Sequence, residues 1–201
     1  MTSELTPTGV DAAARRVCAM FLANTEEFNR LDAQTGDGDM GSSLAAVASV
    51  VLEDSTPASD DLGAAFSRIA ASIAKRSGSS LCALAMTGLM SLGKSTWGRT
   101  ALSVDEFVRA MQEALLVMQM RSGAQFGDKT VLDGFKAMLD SAGETADFET
   151  LKRRFEGAII QCVEEFRDRP TSVGRARLAP YQSVGLDDPG MVVLLRTVQT
   201  I

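Results

Sequence analysis

Three carboxylates in a D-x4-D-x-D spacing, Asp32, Asp37 and Asp39, stand in the stretch LDAQTGDGDMGSS from Leu31 to Ser43. Gly36, Gly38 and Gly41 are interleaved with them. Clustered carboxylates repel one another, so a fold that gathers them needs a cation or strong donors beside them. Hard divalent ions such as Mg2+ take oxygen ligands and keep positions open for water and phosphate. The glycines let the backbone turn where a Cβ would clash and let a phosphate come close. Two readings stay open on these residues alone. One is a Mg-nucleotide site at a helix–helix junction; the other is an Asx/Gly turn whose acids are merely solvated.

Two other chemistries are weighed and set aside. Gly88 to Ser95 reads GLMSLGKS and fits the phosphate-loop pattern G-x4-G-K-[ST]. Such a loop needs a strand before it, and the preceding SSLCALAMT is a better helix than strand. A calcium loop starting at Asp37 would need an acid at its twelfth position, which is Ala48. There is no histidine in the chain. Ser-His-Asp and Cys-His nucleophile schemes, histidine metal sites and a phosphohistidine relay are excluded on this chain.

The elements that must position the acids are helical. Val10, Ala14, Val17, Phe21, Phe28 and Leu31 keep mostly helical steps, so one helix is expected to deliver Asp32 at its C-terminal end. Residues 1–9 read as a flexible tail. After the glycine turn, Leu44, Val47, Val50 and Val51 share a face, which puts Gly41, Ser42 and Ser43 at a helix N-terminus, where free N–H groups favour an anion. Leu62, Phe66, Ile69 and Ile73 mark a third helix, and Ser77 to Thr96 a small-residue helix that admits a ligand or packs tightly against a neighbour. Trp97 is expected to close over its own core. Ser103 and Glu106 form a capping box and Gly123 a C-terminal stop. Asp128 is expected to cap the next helix, where Lys129 and Thr130 either reach a phosphate or serve only the helix start. Phe148 to Phe166 is a long amphipathic helix. The irregular, Arg-bearing loop Thr171 to Asp188 then ends in Asp188-Pro189-Gly190, a helix start with Asp as cap and Pro first. About eight helical segments and no alternating strand pattern predict a single all-α domain over residues 1–201.

Composition agrees. A chain of 201 residues with 45% hydrophobic residues can bury a sizeable core. A net charge of −6 and the lack of a Lys/Arg run speak against nucleic acid or an anionic membrane as partner. No apolar stretch reaches the roughly 20 residues that span a bilayer. MTSELTPTGVD does not read as a secretory signal. Cys18, Cys82 and Cys162, widely spaced in apolar patterns, read as buried thiols of a reducing cytoplasm.

The blocks LDAQTGDGDMG, SGSS at Ser77 to Ser80, FGDKTVLD at Phe126 to Asp133, GRA at Gly174 to Ala176 and DPG at Asp188 to Gly190 lie in order across most of the chain. In that order and spacing they resemble the nucleotide-binding L subunit of dihydroxyacetone kinases. The resemblance implies an antiparallel barrel or bundle of about eight helices with ADP or ATP at one end. It implies that Asp32, Asp37 and Asp39 hold two Mg2+ ions that bridge the phosphates. Met40, Gly41, Ser42, Ser43, Ser79 and Ser80 would lie at the phosphates or ribose, and Ser122, Val131 and Arg175 near the nucleotide. The turn Asp188, Pro189, Gly190 would close over it. The family passes a phosphoryl group to a short ketose held by a separate K-type subunit, so such a partner is expected. Whether the donor is ATP or a phosphotransferase-system protein is left open, as is a homodimer.

The chain departs from the family at three places. Met40 stands where the family usually has His after GDGD, and Ser77 to Ala85 lacks the Pro, Tyr and last Gly of the family's segment. The His expected before DPG is Leu186 or Asp187. The resemblance is thus to a divergent member, either a kinase subunit or a non-catalytic nucleotide-binding regulator on the same barrel. A plain helical interaction domain is the reading without a ligand.

Overall fold

A computed structural model describes residues 4–54, 59–76, 78–145, 147–174 and 180–201. Among them nine α-helices carry the fold: α1 Pro7–Ala23, α2 Thr25–Asp32, α3 Met40–Glu53, α4 Leu62–Ala74, α5 Ser80–Ser95, α6 Val104–Ser122, α7 Val131–Asp140, α8 Phe148–Arg167 and α9 Pro189–Thr200. The all-α expectation holds. The single helix expected up to Asp32 is two, because Asn24 leaves the helical region at φ −113°, ψ 19°. Its side-chain amide takes the Met20 carbonyl, and the Thr25 hydroxyl takes that of Phe21, so local polar groups replace the continuing ladder. Apolar spacing is blind to such a break, since Phe28 still falls on the core side, edge-on to Phe21.

Of the tail expected over 1–9, residues 4–9 are ordered into elements, and 1–3 lie outside the described residues. Pro7 opens α1 with Thr6 as its cap, and β1, Glu4–Leu5, pairs antiparallel with β2, Leu102–Ser103. Two-residue strands leave no alternation to read. The capping box at Ser103 and Glu106 forms, and Gly123 closes α6 in the left-handed region at φ 71°. Asp128 does not cap α7. Thr130 does, in a reciprocal box with Asp133, while Asp128 accepts from the Gln125 N–H. The phosphate-loop match lies inside α5, with no strand before it. Trp97 does not cover a core; it is 69% exposed.

Successive helices pack as neighbours from α4 onward: α4 on α5, α5 on α6, α6 on α7, α7 on α8 and α8 on α9, and α9 returns to α1 and α2, so the ring closes. The start of α3 lies by that of α5, and the start of α7 by that of α9. A ring of this size is too wide for its side chains to fill: it surrounds an apolar cavity of about 970 Å³ lined by residues such as Leu44, Val47, Phe66, Met111 and Leu132. All three cysteines are buried and free. No helix among the described residues is long and apolar enough to cross a membrane.

Candidate functional site

Helix α2 ends at Asp32 and α3 begins at Met40; the seven-residue glycine turn between them carries Asp37 and Asp39. Asp32 organises that turn. Its Oδ2 accepts the Gly38 N–H at 2.8 Å and the Asp39 N–H at 3.1 Å, and Gly38 adopts φ +76°, which favours glycine. Gly36 folds over the other oxygen, where an added Cβ would lie 2.4 Å from Asp32 Oδ1. With the turn closed this way, one carboxylate oxygen from each of Asp32, Asp37 and Asp39 lies within 4.8 Å of the others. Asp32 is half-buried, and Asp37 and Asp39 are exposed.

The donor set fits Mg2+. All three ligands are hard carboxylates, with neither imidazole nor thiolate among them. At metal–oxygen distances of about 2.0–2.1 Å, oxygens on one Mg2+ stand at most about 4.2 Å apart. A cluster within 4.8 Å lies close to that reach.

The start of α3 is held against α2 by one side chain. Asn29 Oδ1 accepts the Ser42 N–H and its Nδ2 donates to Ser42 Oγ, both at 3.0 Å. Ser43 N–H goes to the Asp39 carbonyl, so Met40 and Gly41 hold the first-turn amides nearest the acids. Gly41 is buried against Thr25, the first residue of α2. Asn29 and Thr25 escaped the sequence reading. The one signal for Asn29 is its position three residues before Asp32, on the same helical face.

The other expected residues that the structure describes lie at helix ends. Ser79 precedes α5 and Ser80 opens it. The Cys82 thiol feels both the Ser79 hydroxyl and the Asp39 charge, which places the starts of α3 and α5 side by side; burial is the main cause that raises this thiol's pKa. Val131 opens α7, and an added Cβ at Gly190 would lie 3.1 Å from Val131 Cβ, so the starts of α7 and α9 touch. Ser122 ends α6 with its hydroxyl already engaged, donating to the Gln119 carbonyl and accepting from the Ala124 N–H. Asp188 caps α9 through the Met191 N–H at 2.8 Å, followed by Pro189 and Gly190, both buried. Arg175, like Ser77, lies outside the described residues. Lys129 does not reach for a phosphate. It is buried, and its ammonium is engaged by backbone carbonyls.

Asp188 sits in a desolvated corner with Lys129 and Asp133. Burial pushes its carboxyl up to about 7, helped by the Asp133 charge and opposed by the Met191 N–H and the Lys129 ammonium. Between about pH 4, its ordinary value, and about pH 7 the folded chain holds a proton there that the unfolded chain has released. Stability from this group therefore falls as pH rises through that window. Asp188→Asn keeps an equally good cap. We expect it to flatten the decline in melting temperature between pH 4 and 7 by about 3 °C or more, measured by differential scanning calorimetry across that range.

The sequence matches the DAK2 domain over residues 34–201. No curated protein matches it. Among solved structures it is similar to the native form of the dihydroxyacetone kinase of C. freundii, with a TM-score of 0.71 and 22% identity, over 99% of this chain and 35% of that one. A second structure of that kinase, in complex with AMP-PNP and Mg2+, is similar with a TM-score of 0.71 and 23% identity, over 95% of this chain and 33% of that one. At such identity the likeness is one of fold, and the chain spans about a third of the length of the kinase it matches. The domain match runs from within the Asp-rich turn through α9 and takes in Asp37, Asp39 and the starts of α3, α5, α7 and α9. The chain belongs to the DAK2 domain family.

Proposed function

We propose that this chain is the nucleotide-binding part of a dihydroxyacetone-type kinase, a phosphotransferase that binds Mg2+ with ADP or ATP at the Asp-rich end of the barrel. One observation supports it most: three carboxylates gathered at a helix N-terminus, a combination that suits metal-bridged phosphates. Asp32, Asp37 and Asp39 would hold two Mg2+ ions. Bound there, the metal would neutralise charge on the phosphates. The Met40 and Gly41 amides and the Ser42, Ser43, Ser79 and Ser80 hydroxyls would hold phosphate or ribose oxygens. Val131, Ser122, Arg175 and the Asp188–Gly190 turn would flank the nucleotide. The kinase of similar fold is in complex with AMP-PNP and Mg2+, in line with this ligand.

The chain brings no histidine and no evident base for an acceptor hydroxyl. The short ketose would therefore be held by a separate K-type subunit, with ATP or a phosphotransferase-system protein as donor, in the cytoplasm, and with room for a homodimer. Met40, where the family usually has His, favours a second reading: a regulator that binds the nucleotide without turning it over.

The experiment is isothermal titration with ADP, with and without Mg2+. We expect binding only with Mg2+, and at a hundredfold excess over Kd a stabilisation of about 2.7 kcal/mol in thermal unfolding. A melting temperature indifferent to both would leave a plain interaction domain. Tight binding without ketose-dependent turnover beside a K-type subunit would select the regulator.

A further inference from the structure

Lys129 is buried in a way the nucleotide reading does not use. It is 2% exposed, and its Nζ donates to the carbonyl oxygens of Arg167 at 2.9 Å, Arg169 at 2.9 Å and Ser183 at 2.6 Å. An ammonium has three donors, so the set is complete. Arg167 ends α8, and carbonyls there lack helical partners and carry the negative end of the dipole. A cage of carbonyls around one positive charge is what a bound potassium or ammonium ion would find; here the charge arrives on a tether.

The chain accepts costs for this arrangement. Lys129 is the only non-glycine residue among those described with a positive φ, +63°, a conformation that costs an L-residue on the order of 1 kcal/mol. Burial also lowers the ammonium's pKa, opposed by the Asp188, Asp187 and Asp168 charges. A solvated lysine would need neither.

The three carbonyls come from both ends of the return segment between α8 and α9. Other bonds converge on the same point. Gly185 N–H donates to the Arg167 carbonyl, Thr171 N–H to Ser183 Oγ and Thr171 Oγ1 to the Asp128 carbonyl. Arg167 Nε pairs with Asp187 at 2.7 Å, directly before the Asp188 cap. Two residues beyond Lys129, Val131 meets Gly190.

We propose that Lys129 is a positioning residue: its ammonium is a tethered monovalent cation that draws the α8–α9 return segment onto the start of α7 and so sets the Asp188–Gly190 turn. The effect on ligand rests on the nucleotide reading above; the tether rests on the carbonyl cage alone.

The test compares the full-length wild type with Lys129→Gly and Lys129→Met. Glycine suits φ +63°, so Lys129→Gly removes the ammonium without backbone strain and leaves a channel open. Methionine fills that channel without a charge. Mg-ADP affinity is titrated in propylammonium chloride and, at equal ionic strength, in tetramethylammonium chloride, which has no N–H. Both variants are expected to bind about tenfold more weakly than wild type, the lower range for loss of a supporting contact. Propylammonium should restore most of the affinity of Lys129→Gly, tetramethylammonium none, and neither should change Lys129→Met. Rescue by a diffusible ammonium is a response that mere loss of packing would not give. Affinity within twofold of wild type in Lys129→Gly, or equal response to the two salts, overturns the proposal. If wild type itself ignores Mg-ADP, the nucleotide reading falls and trypsin decides the tether. Faster cleavage after Arg167 in Lys129→Gly, slowed by propylammonium, upholds it; a wild-type rate overturns it.

Discussion

Gly41→Ala is expected to cost about 3 kcal/mol or more in urea unfolding and to abolish Mg-dependent nucleotide binding with it. A Cβ on Gly41 would sit 2.0 Å from the Thr25 carbonyl oxygen and 2.9 Å from Asn29 Oδ1. The first obstacle is backbone, which no side-chain rotation relieves, so α2 and α3 must move apart. That movement stretches the two bonds from Asn29 to Ser42 and the two from Asp32 into the glycine turn. Four polar contacts and the acid cluster thus depend on one missing methyl. Gly157 is the control. It lies exposed in α8 with nothing within 4 Å of an added Cβ, so Gly157→Ala should raise stability by about 0.5–1 kcal/mol and leave binding unchanged. If Gly41→Ala behaves like Gly157→Ala, the helix contact is looser than described.

Helices were legible where their reasons are local. The capping box at Ser103, the glycine stop at Gly123 and the Asp188-Pro189 start each satisfy orphan backbone groups within four residues. The acid triplet was legible too, since six residues of glycine-rich turn can bring Asp32 and Asp39 together with no help from elsewhere. What stayed hidden is competition between local polar groups, and contacts that are long-range. Asn24 breaks a helix whose apolar rhythm runs on unbroken. Thr130 rather than Asp128 caps α7 because Asp133, three residues after Thr130, answers it, while Asp128 turns back to Gln125. Lys129 offers no sequence hint of burial, because its partners are carbonyls some 40 and 54 positions away and carbonyls have no side-chain signature. Electrostatic sites built from side chains can be read in a sequence; those built from backbone need the fold.

Within the acid triplet, two substitutions should come apart. Asp37→Asn removes a ligand from an exposed turn, and we expect Mg-ADP affinity to fall by about a hundredfold, or ~2.7 kcal/mol. Ligand-free stability should change less than in Asp32→Ala, because the loss of one of three like charges within 4.8 Å relieves repulsion. Asp32→Ala should lose the same affinity and stability as well. Its Oδ2 is the acceptor for Gly38 and Asp39, and charge-assisted bonds of this kind contribute about 1.5–3 kcal/mol each before relaxation. Calorimetric titration paired with ligand-free melting curves separates the two effects. Asp37→Asn with unchanged Mg-ADP affinity would remove the metal assignment, whatever Asp32→Ala does, since Asp32 also closes the turn. Equal melting temperatures for wild type and Asp32→Ala would mean that the turn is closed by something other than its carboxylate. An exposed acid whose loss costs Mg-dependent affinity more than ligand-free stability is what a ligand site looks like in such an experiment; a merely solvated acid would cost no affinity.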